Sequence, residues 1–277
     1  MNDKYASLTE RQRREIEYHR EHAKKHSAIL TQPFSYDAIY AEKRSRWWNA
    51  TWEMYSFLSA QNPKNKKVLI IGCGFGEDAL RLAKLGAKVE AFDLSPESLS
   101  VAKELALREN LKINFREMPA ETMSYESDTF DVVVARDILH HVDIPETMRE
   151  IIRTAKNEAL FVVNEVYTHS LTDRIRHSSF VEKKLYPAMQ SFVYGREQPY
   201  LTEDERKLTE NDVADIIKPF KRIILKKYFN FLVNRVMPDN YDIVSKVDRA
   251  ILAVLNPVAH FLGGRLLIGG VIEKAEN

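Results

Sequence analysis

Gly72, Gly74 and Gly76 stand at alternate positions directly after the apolar run Val68-Leu69-Ile70-Ile71. A loop of this kind lets the backbone pass close to a ligand, because glycine has no Cβ and adopts positive φ at little cost. A dinucleotide-binding loop needs one more glycine, three places after the second, where a helix dipole meets a pyrophosphate. That place holds Glu77. A carboxylate there repels phosphate and suits a ligand with a cationic amine and no phosphate. Asp93 lies nineteen residues beyond Gly74, at the end of a second apolar segment. A carboxylate at that strand tip can accept hydrogen bonds from the hydroxyls of a ribose; an acid in this place can also simply cap a helix. Leu94, which follows it, is assigned to the same ligand.

Four further groups carry chemistry-bearing residues. His140 and His141 follow a valine-rich segment, and histidine exchanges a proton near neutral pH, so either suits a general base. A structural hydrogen bond is the alternative. Asp137 could orient an imidazole or bind substrate, and Arg136 shapes the ligand pocket. Glu165 and His169 close a later segment and are substrate-side candidates. Tyr36, Trp48 and Trp52 belong to an aromatic N-terminal stretch in which Trp48, Trp52 and Tyr55 share a helical face, either a docked helix or a lid over substrate. Tyr36, Tyr40 and Arg44 are candidates for gripping a carboxylate. His19, His22 and His26 lie on one helical face, but metal ligation needs a convergent fourth ligand, so no metal is expected.

These residues need elements to hold them. Val68–Ile71, Lys88–Phe92, Ile113–Glu117, Asp131–Ala135 and Ala159–Asn164 are predicted as strands, separated by helices over Asp78–Leu85, from Pro96 to about Asn110, and from Pro145 to about Lys156. Strand and helix in alternation imply an α/β fold with a parallel sheet covered on both faces. A helix from Thr209 to about Lys218 and strands over Lys221–Phe231 and Arg265–Glu273 follow. Between those strands Ile243, Val247, Ile251, Leu255, Val258 and Leu262 recur at helical spacing. That face is expected to pack on the core, to wall an apolar pocket, or to touch lipid.

The run from Val68 to Gly76, followed by Val89-Glu90-Ala91-Phe92-Asp93, resembles motif I and its sequel in class I S-adenosylmethionine-dependent methyltransferases. Phe130 to Val142 is similar to their fourth-strand motif. The resemblance covers 63–165 strongly and the final strands loosely. It implies a Rossmann-like, seven-stranded, mostly parallel sheet with an antiparallel last strand. It also implies S-adenosylmethionine as cofactor, with the three glycines near its methionine part and Asp93 on its ribose. Members often hold the adenine amino group with an acid before strand four; here Pro119 takes that place. Adenine contacts then fall to the backbone of Ala120, to Glu121, or to Met118.

The remaining expectations come from composition. The chain has 277 residues, 44% hydrophobic and 29% charged, with a formal net charge of +1. Such a balance gives no global field to attract nucleic acid. The single cysteine, Cys73, and the absence of a signal-peptide pattern lead us to expect a cytoplasmic protein. We expect an N-terminal helical cap over 1–62 and a methyltransferase domain over 63–277. Within that domain, 63–165 holds the cofactor and 166–277 the substrate, with a helical insertion at 233–263. The expected reaction is methyl transfer to a small hydrophobic or lipid-like molecule, with oxygen favoured as acceptor. Nitrogen, carbon or sulfur methylation, and a non-catalytic binding subunit, are the alternatives. The C-terminal helix is an expected point of lipid or peripheral membrane contact.

Overall fold

In a computed structural model, residues 8–25, 27–40, 48–187, 206–233, 237 and 242–274 are described. Arg44, His26 and the side chains of His19 and His22 lie outside the described residues. Seven strands form one sheet: β1 (Lys67–Ile71), β2 (Lys88–Asp93), β3 (Ile113–Glu117), β4 (Phe130–Arg136), β5 (Ala155–Val166), β6 (Phe220–Phe229) and β7 (Arg265–Ile272). Their order is β3-β2-β1-β4-β5-β7-β6, and β7 runs antiparallel to both its neighbours. The sheet is the Rossmann-like one expected from the sequence.

Side chains alternate across this sheet, as the pleat requires. Leu69, Ile71, Val133, Ala135, Phe161 and Val163 face one core; Val68, Ile70, Val132, Val134, Leu160 and Val162 face the other. Helices α3 (Ala50–Ala60), α4 (Glu77–Lys84) and α5 (Pro96–Arg108) cover the second face through Met54, Tyr55, Leu58, Ala79, Leu82 and Leu99. Helix α6 (Ile144–Thr154) and helix Glu210–Ile217 cover the first through Met148, Ile151, Val213 and Ile216. Burial of each large apolar side chain contributes about 1.5–3 kcal/mol, so the central strands are the stable frame on which the loops ride.

Local chemistry sets the helix starts. The Ser95 side chain caps α5 ahead of Pro96, Asp143 caps α6, and Thr209 with Asp212 forms a capping box. Helix α1 (Glu10–Lys25) is tied to α5 by Arg20 Nε and Glu97 Oε1 at 2.9 Å, and the short α2 (Asp37–Tyr40) precedes α3.

Two expectations change. Strand β5 begins at Ala155, where a helix was expected to about Lys156, and Glu158 turns at φ 61° within it. The expected apolar helix between β6 and β7 is broken. Its pieces are Asp242–Val254, a 3-10 turn at Asn256–Val258 around Pro257, and Ala259–Leu262. Its apolar face does not pack on the core. Ile243 and Val247 are 72% and 50% exposed, while Asp248 and Arg249 are buried. The cause is the end of β6. Asp248 accepts the N–H groups of Phe231 and Leu232, and Arg249 donates to the carbonyl of Tyr228 and lies over the ring of Phe229. Pairing those backbone groups turns the polar side of the helix inward. Among the described residues no helix is long and apolar enough to cross a membrane.

Candidate functional site

A cavity of about 630 Å³ opens at the carboxyl ends of β1, β2 and β4. Its floor is the glycine loop, and the three glycines adopt φ of 60°, 51° and 82°. A Cβ on Gly72 would stand 2.5 Å from Ile138, and one on Gly76 would stand 2.9 Å from Ala102. The loop is therefore pressed between two neighbours, and only Gly74 has open space where a side chain would be.

Asp93 ties this loop to the next strand. One carboxylate oxygen accepts the Gly74 N–H at 2.8 Å and the other accepts the Ser95 N–H at 2.9 Å. A carboxylate has room for about four hydrogen bonds, so each oxygen keeps capacity for a ligand hydroxyl. Leu94, Met118, Ala120 and Glu121 continue the wall. Glu121 also accepts from the Asp143 N–H and from the Gln12 amide, 3.2 and 3.1 Å away.

Two acids, Glu77 and Asp78, occupy the first turn of α4. Asp78 is buried and accepts from Tyr55 and from Arg136 Nε at 2.6 Å. Arg136 also reaches Glu77 at 3.3 Å. The charge of Asp78 holds the Arg136 guanidinium above its ordinary pKa in spite of burial. Burial, then Asp78, pushes the Tyr55 phenol well above its usual value. Sequence reasoning placed Arg136 in this pocket but missed Asp78 and Tyr55. An acid in a first helical turn is ordinary, and nothing in the sequence reveals that Tyr55 reaches it.

The two histidines differ. His141 lines the cavity, and its Nδ1 lies 3.1 Å from Glu15 of α1. His140 is buried outside the cavity lining, with Nδ1 2.7 Å from Glu165 Oε2. Its ring centre is 4.0 Å from that of His141. Glu165 is fully buried, and its other oxygen accepts the N–H groups of Ile138 and Leu139, both at 2.7 Å. This acid therefore does not reach either the 630 Å³ cavity or the smaller one described below; it braces the turn that carries the histidines. Helix α1 closes the same side, since Arg11 donates to the His140 carbonyl at 2.9 Å and Gln12 and Glu15 line the cavity. The sequence led us to expect a helical cap over 1–62, but no signal in it singled out Arg11, Gln12 or Glu15 of α1 as the residues that close this side.

Asp137 adopts φ 54° at the tip of β4, where Asp is among the few residues that tolerate it. Burial would raise its carboxyl pKa, but Arg265 Nη2 at 2.7 Å, together with Arg136, holds it below the ordinary range. Asp137 and Arg136 also line a second, polar cavity of about 250 Å³, which Trp48 borders. Trp52 packs beside Trp48, ring centres 6.1 Å apart, and against the core. Two other candidates sit away from both cavities. Tyr36 donates to Glu109 at 3.2 Å, and His169 caps a short helix, α7 (Ser170–Arg176), with its ring 4.3 Å from that of Phe261.

Known proteins share this frame. The family described as "Methyltransferase domain" matches residues 69–163. A ubiquinone biosynthesis O-methyltransferase of Paraburkholderia phymatum is 34% identical over 128 residues, which are 42% of this chain and 55% of that protein. One from Coxiella burnetii is 32% identical over 123 residues, 40% of this chain and 52% of its own length. The matched segment thus spans about half the length of these curated relatives. Among solved structures, a magnesium protoporphyrin IX methyltransferase from Synechocystis has a TM-score of 0.57 at 12% identity, covering 95% of this chain and 100% of its own. An S-adenosylmethionine-dependent methyltransferase from Methanosarcina mazei has 0.53 at 19% identity, covering 79% of this chain and 99% of its own.

Proposed function

We propose that this chain, a class I methyltransferase in its fold and in the family of its residues 69–163, uses S-adenosylmethionine to methylate an oxygen of a small lipid-like molecule. One observation carries the reading: the strand-tip carboxylate of Asp93 bound to the Gly74 N–H, beside a helix start that carries acids where a phosphate would need cations. A ligand with a ribose and an ammonium fits these groups. Asp93 grips the sugar, Glu77 lies toward the amino-acid end, and Met118, Ala120 and Glu121 border the base. Bound there, the cofactor supplies a methyl group already activated by its sulfonium.

The protein's own contribution is positioning, exclusion of water and removal of a proton. Helix α1 covers the cavity. His141 is placed to take the proton of an acceptor hydroxyl, and Glu15 stands by to stabilise the imidazolium that results. His140 and Glu165 hold the turn in register behind it. The described residues among 1–62 form the cap in this reading. The outward Ile243 and Val247 support peripheral contact with a lipid surface, from which a lipid-like acceptor arrives. The protein is placed in the cytoplasm, where Cys73 stays a thiol.

The test is calorimetry with S-adenosylmethionine and with NAD, followed by assay of S-adenosylhomocysteine release over hydroxyl-bearing acceptors. Binding of the first alone, with turnover, is expected. Binding of NAD in its place would overturn the proposal. Sedimentation with lipid vesicles reads the membrane contact separately.

A further inference from the structure

The larger cavity occupies the carboxyl ends of the strands. A separate groove of about 760 Å³ lies toward their amino ends, on the sheet face that carries Leu69 and Ile71. The length of β1, about 16 Å at ~3.3 Å per residue, separates its Lys67 from Gly72. Helix α6 and helix Glu210–Ile217 cover that face through the core around β4 and β5. Beside the start of β2 and β3 the border is instead the loop that carries Ser124, Tyr125, Glu126 and Thr129.

Three lysines stand in a row along this groove. Lys67 opens β1, Lys88 opens β2, and the two are register partners. Val89 pairs with Ile113, so Lys112, one place earlier, continues the row. The pleat puts all three on one face, with Leu69, Glu90 and Asn114 two places further along their strands. Neighbouring strands lie about 4.8 Å apart, so the row spans roughly 10 Å. Like charges set side by side on a sheet destabilise it. Among the described residues, none of the three ammonium groups makes an ion pair or a hydrogen bond.

The rest of the groove is rigid. Arg116 lies 4.7 Å from the centre of the Tyr125 ring, with its Nε 3.5 Å from Glu90. Asn114 donates to Glu90 at 2.7 Å. Arg153 anchors the loop from behind, donating to the carbonyls of Met123 and Tyr125 at 2.8 and 2.7 Å. Tyr125 is only 7% exposed, and its hydroxyl has no hydrogen-bond partner. Burial, and then the charge of Glu90, keep that phenol protonated far above its usual pKa, so it is a donor without an acceptor. A solvated row of lysines would be unremarked on a protein surface. A buried hydroxyl left unpaired in the same groove is uncommon and calls for an acceptor.

We propose that this groove is a second ligand site, and that its ligand is a small linear polyphosphate, bare or carried on a nucleoside. Lys67, Lys88 and Lys112 pair with successive phosphates and Tyr125 donates to one of their oxygens. A compact anion reaches two neighbouring lysines; a chain of two or three phosphates reaches the whole row. Four cations against two carboxylates line the groove, and one of those carboxylates, Glu90, is already taken by Arg116 and Asn114. Glu126 is the opposing charge that a bound anion meets. The site is independent of the methyl-donor cavity and of what that cavity binds.

The test is calorimetry on the full chain with sodium tripolyphosphate, orthophosphate and ATP, each with and without saturating S-adenosylhomocysteine. At physiological salt tripolyphosphate is expected to bind one to one with Kd below about 100 µM, and orthophosphate at least about tenfold more weakly. S-adenosylhomocysteine should leave both affinities within about twofold, as separate sites require. ATP equal to tripolyphosphate supports the bare chain as ligand, and tighter ATP supports a nucleotide. Lys88→Gln and Tyr125→Phe should each weaken tripolyphosphate about five- to tenfold. Neither should lower Tm, because one removes a like-charge contact and the other an unpaired buried hydroxyl. Glu126→Gln should strengthen binding about two- to fivefold. No binding of tripolyphosphate to the parent, orthophosphate as tight as tripolyphosphate, or unchanged affinity in both Lys88→Gln and Tyr125→Phe overturns the inference. So does a loss of Tm in those two variants with binding intact, which would make the row structural.

Discussion

Replacement of Glu165 probes the turn that carries the histidines. Its carboxylate is fully buried and accepts three N–H groups: the backbone of Ile138 and Leu139 at one oxygen, and His140 Nδ1 at the other, each at 2.7 Å. Glutamine at this position keeps one carbonyl oxygen for the two backbone donors. Its amide nitrogen then faces His140, whose Nδ1 must give up its proton and become the acceptor. One charge-assisted bond is lost, at about 1.5–3 kcal/mol, or a fall in Tm of roughly 3–10 °C for a chain of this size. Alanine leaves all three donors buried and unpaired and should cost about 3–5 kcal/mol or more. Urea denaturation gives the energies, and long-range nitrogen–proton NMR of the imidazole gives the tautomer. In Glu165→Gln the proton should move to Nε2, with kcat reduced and affinity for the methyl donor nearly unchanged. An alanine variant within 1 kcal/mol of the parent (a value below the ~1–3 kcal/mol expected for even one orphaned donor) would refute the bracing role. An unchanged tautomer in the glutamine variant would refute the assignment of Nδ1 as donor.

Asp93→Ala removes both strand-tip acceptors; with about 1.5–3 kcal/mol for each ribose bond to a charged oxygen, affinity for S-adenosylmethionine should fall roughly 10²–10⁴-fold by calorimetry. Gly269→Ala puts a Cβ 2.4 Å from the Phe57 ring and should cost about 1–3 kcal/mol, less than additively with Phe57→Leu, as read by denaturant titration. Burial, and then the Glu109 carboxylate, raise the Tyr36 phenol to about 12. A raised pKa stabilises the fold fully below the unfolded value of about 10 and loses that contribution as pH climbs toward 12. An ultraviolet difference titration against Tyr36→Phe should show one phenol ionising late, and an ordinary titration of that phenol would contradict the burial.

The parallel half of the sheet was legible because strands buried on both faces must be continuous apolar runs, as Val68–Ile71 and Val132–Ala135 are. The glycine loop was legible because its backbone leaves little freedom of residue choice. Glu165 was not. An acid at a strand tip looks like a group aimed at ligand, and the donors that capture it lie on the turn after β4, in a conformation the sequence does not announce. The helix after β6 misled for a related reason. Its apolar spacing was read correctly, but the orientation was decided by Asp248 and Arg249, whose partners are backbone groups of β6 and the turn after it. Periodicity describes a helix's own faces; which face turns inward also depends on what the neighbouring chain end leaves unpaired.

Both cavities therefore depend on the tip of β4. Asp137 holds a left-handed φ there because its N–H donates to the Asn164 carbonyl and its carboxylate is held by Arg265. Arg136 is engaged with the acids of α4 and also lies 3.7 Å from the Asp137 carboxylate. Two adjacent residues of opposite charge thus sit at the border of both cavities, one tied chiefly to α4 and the other to β7. The same turn places Ile138 against Gly72 and delivers the N–H groups of Ile138 and Leu139 to Glu165. Glycine loop, histidine turn and polar cavity are accordingly coupled through a few residues of backbone. A change at Asp137 that relaxes its φ should therefore disturb methyl-donor affinity as well as the fold around β7, because the same turn seats Ile138 against Gly72.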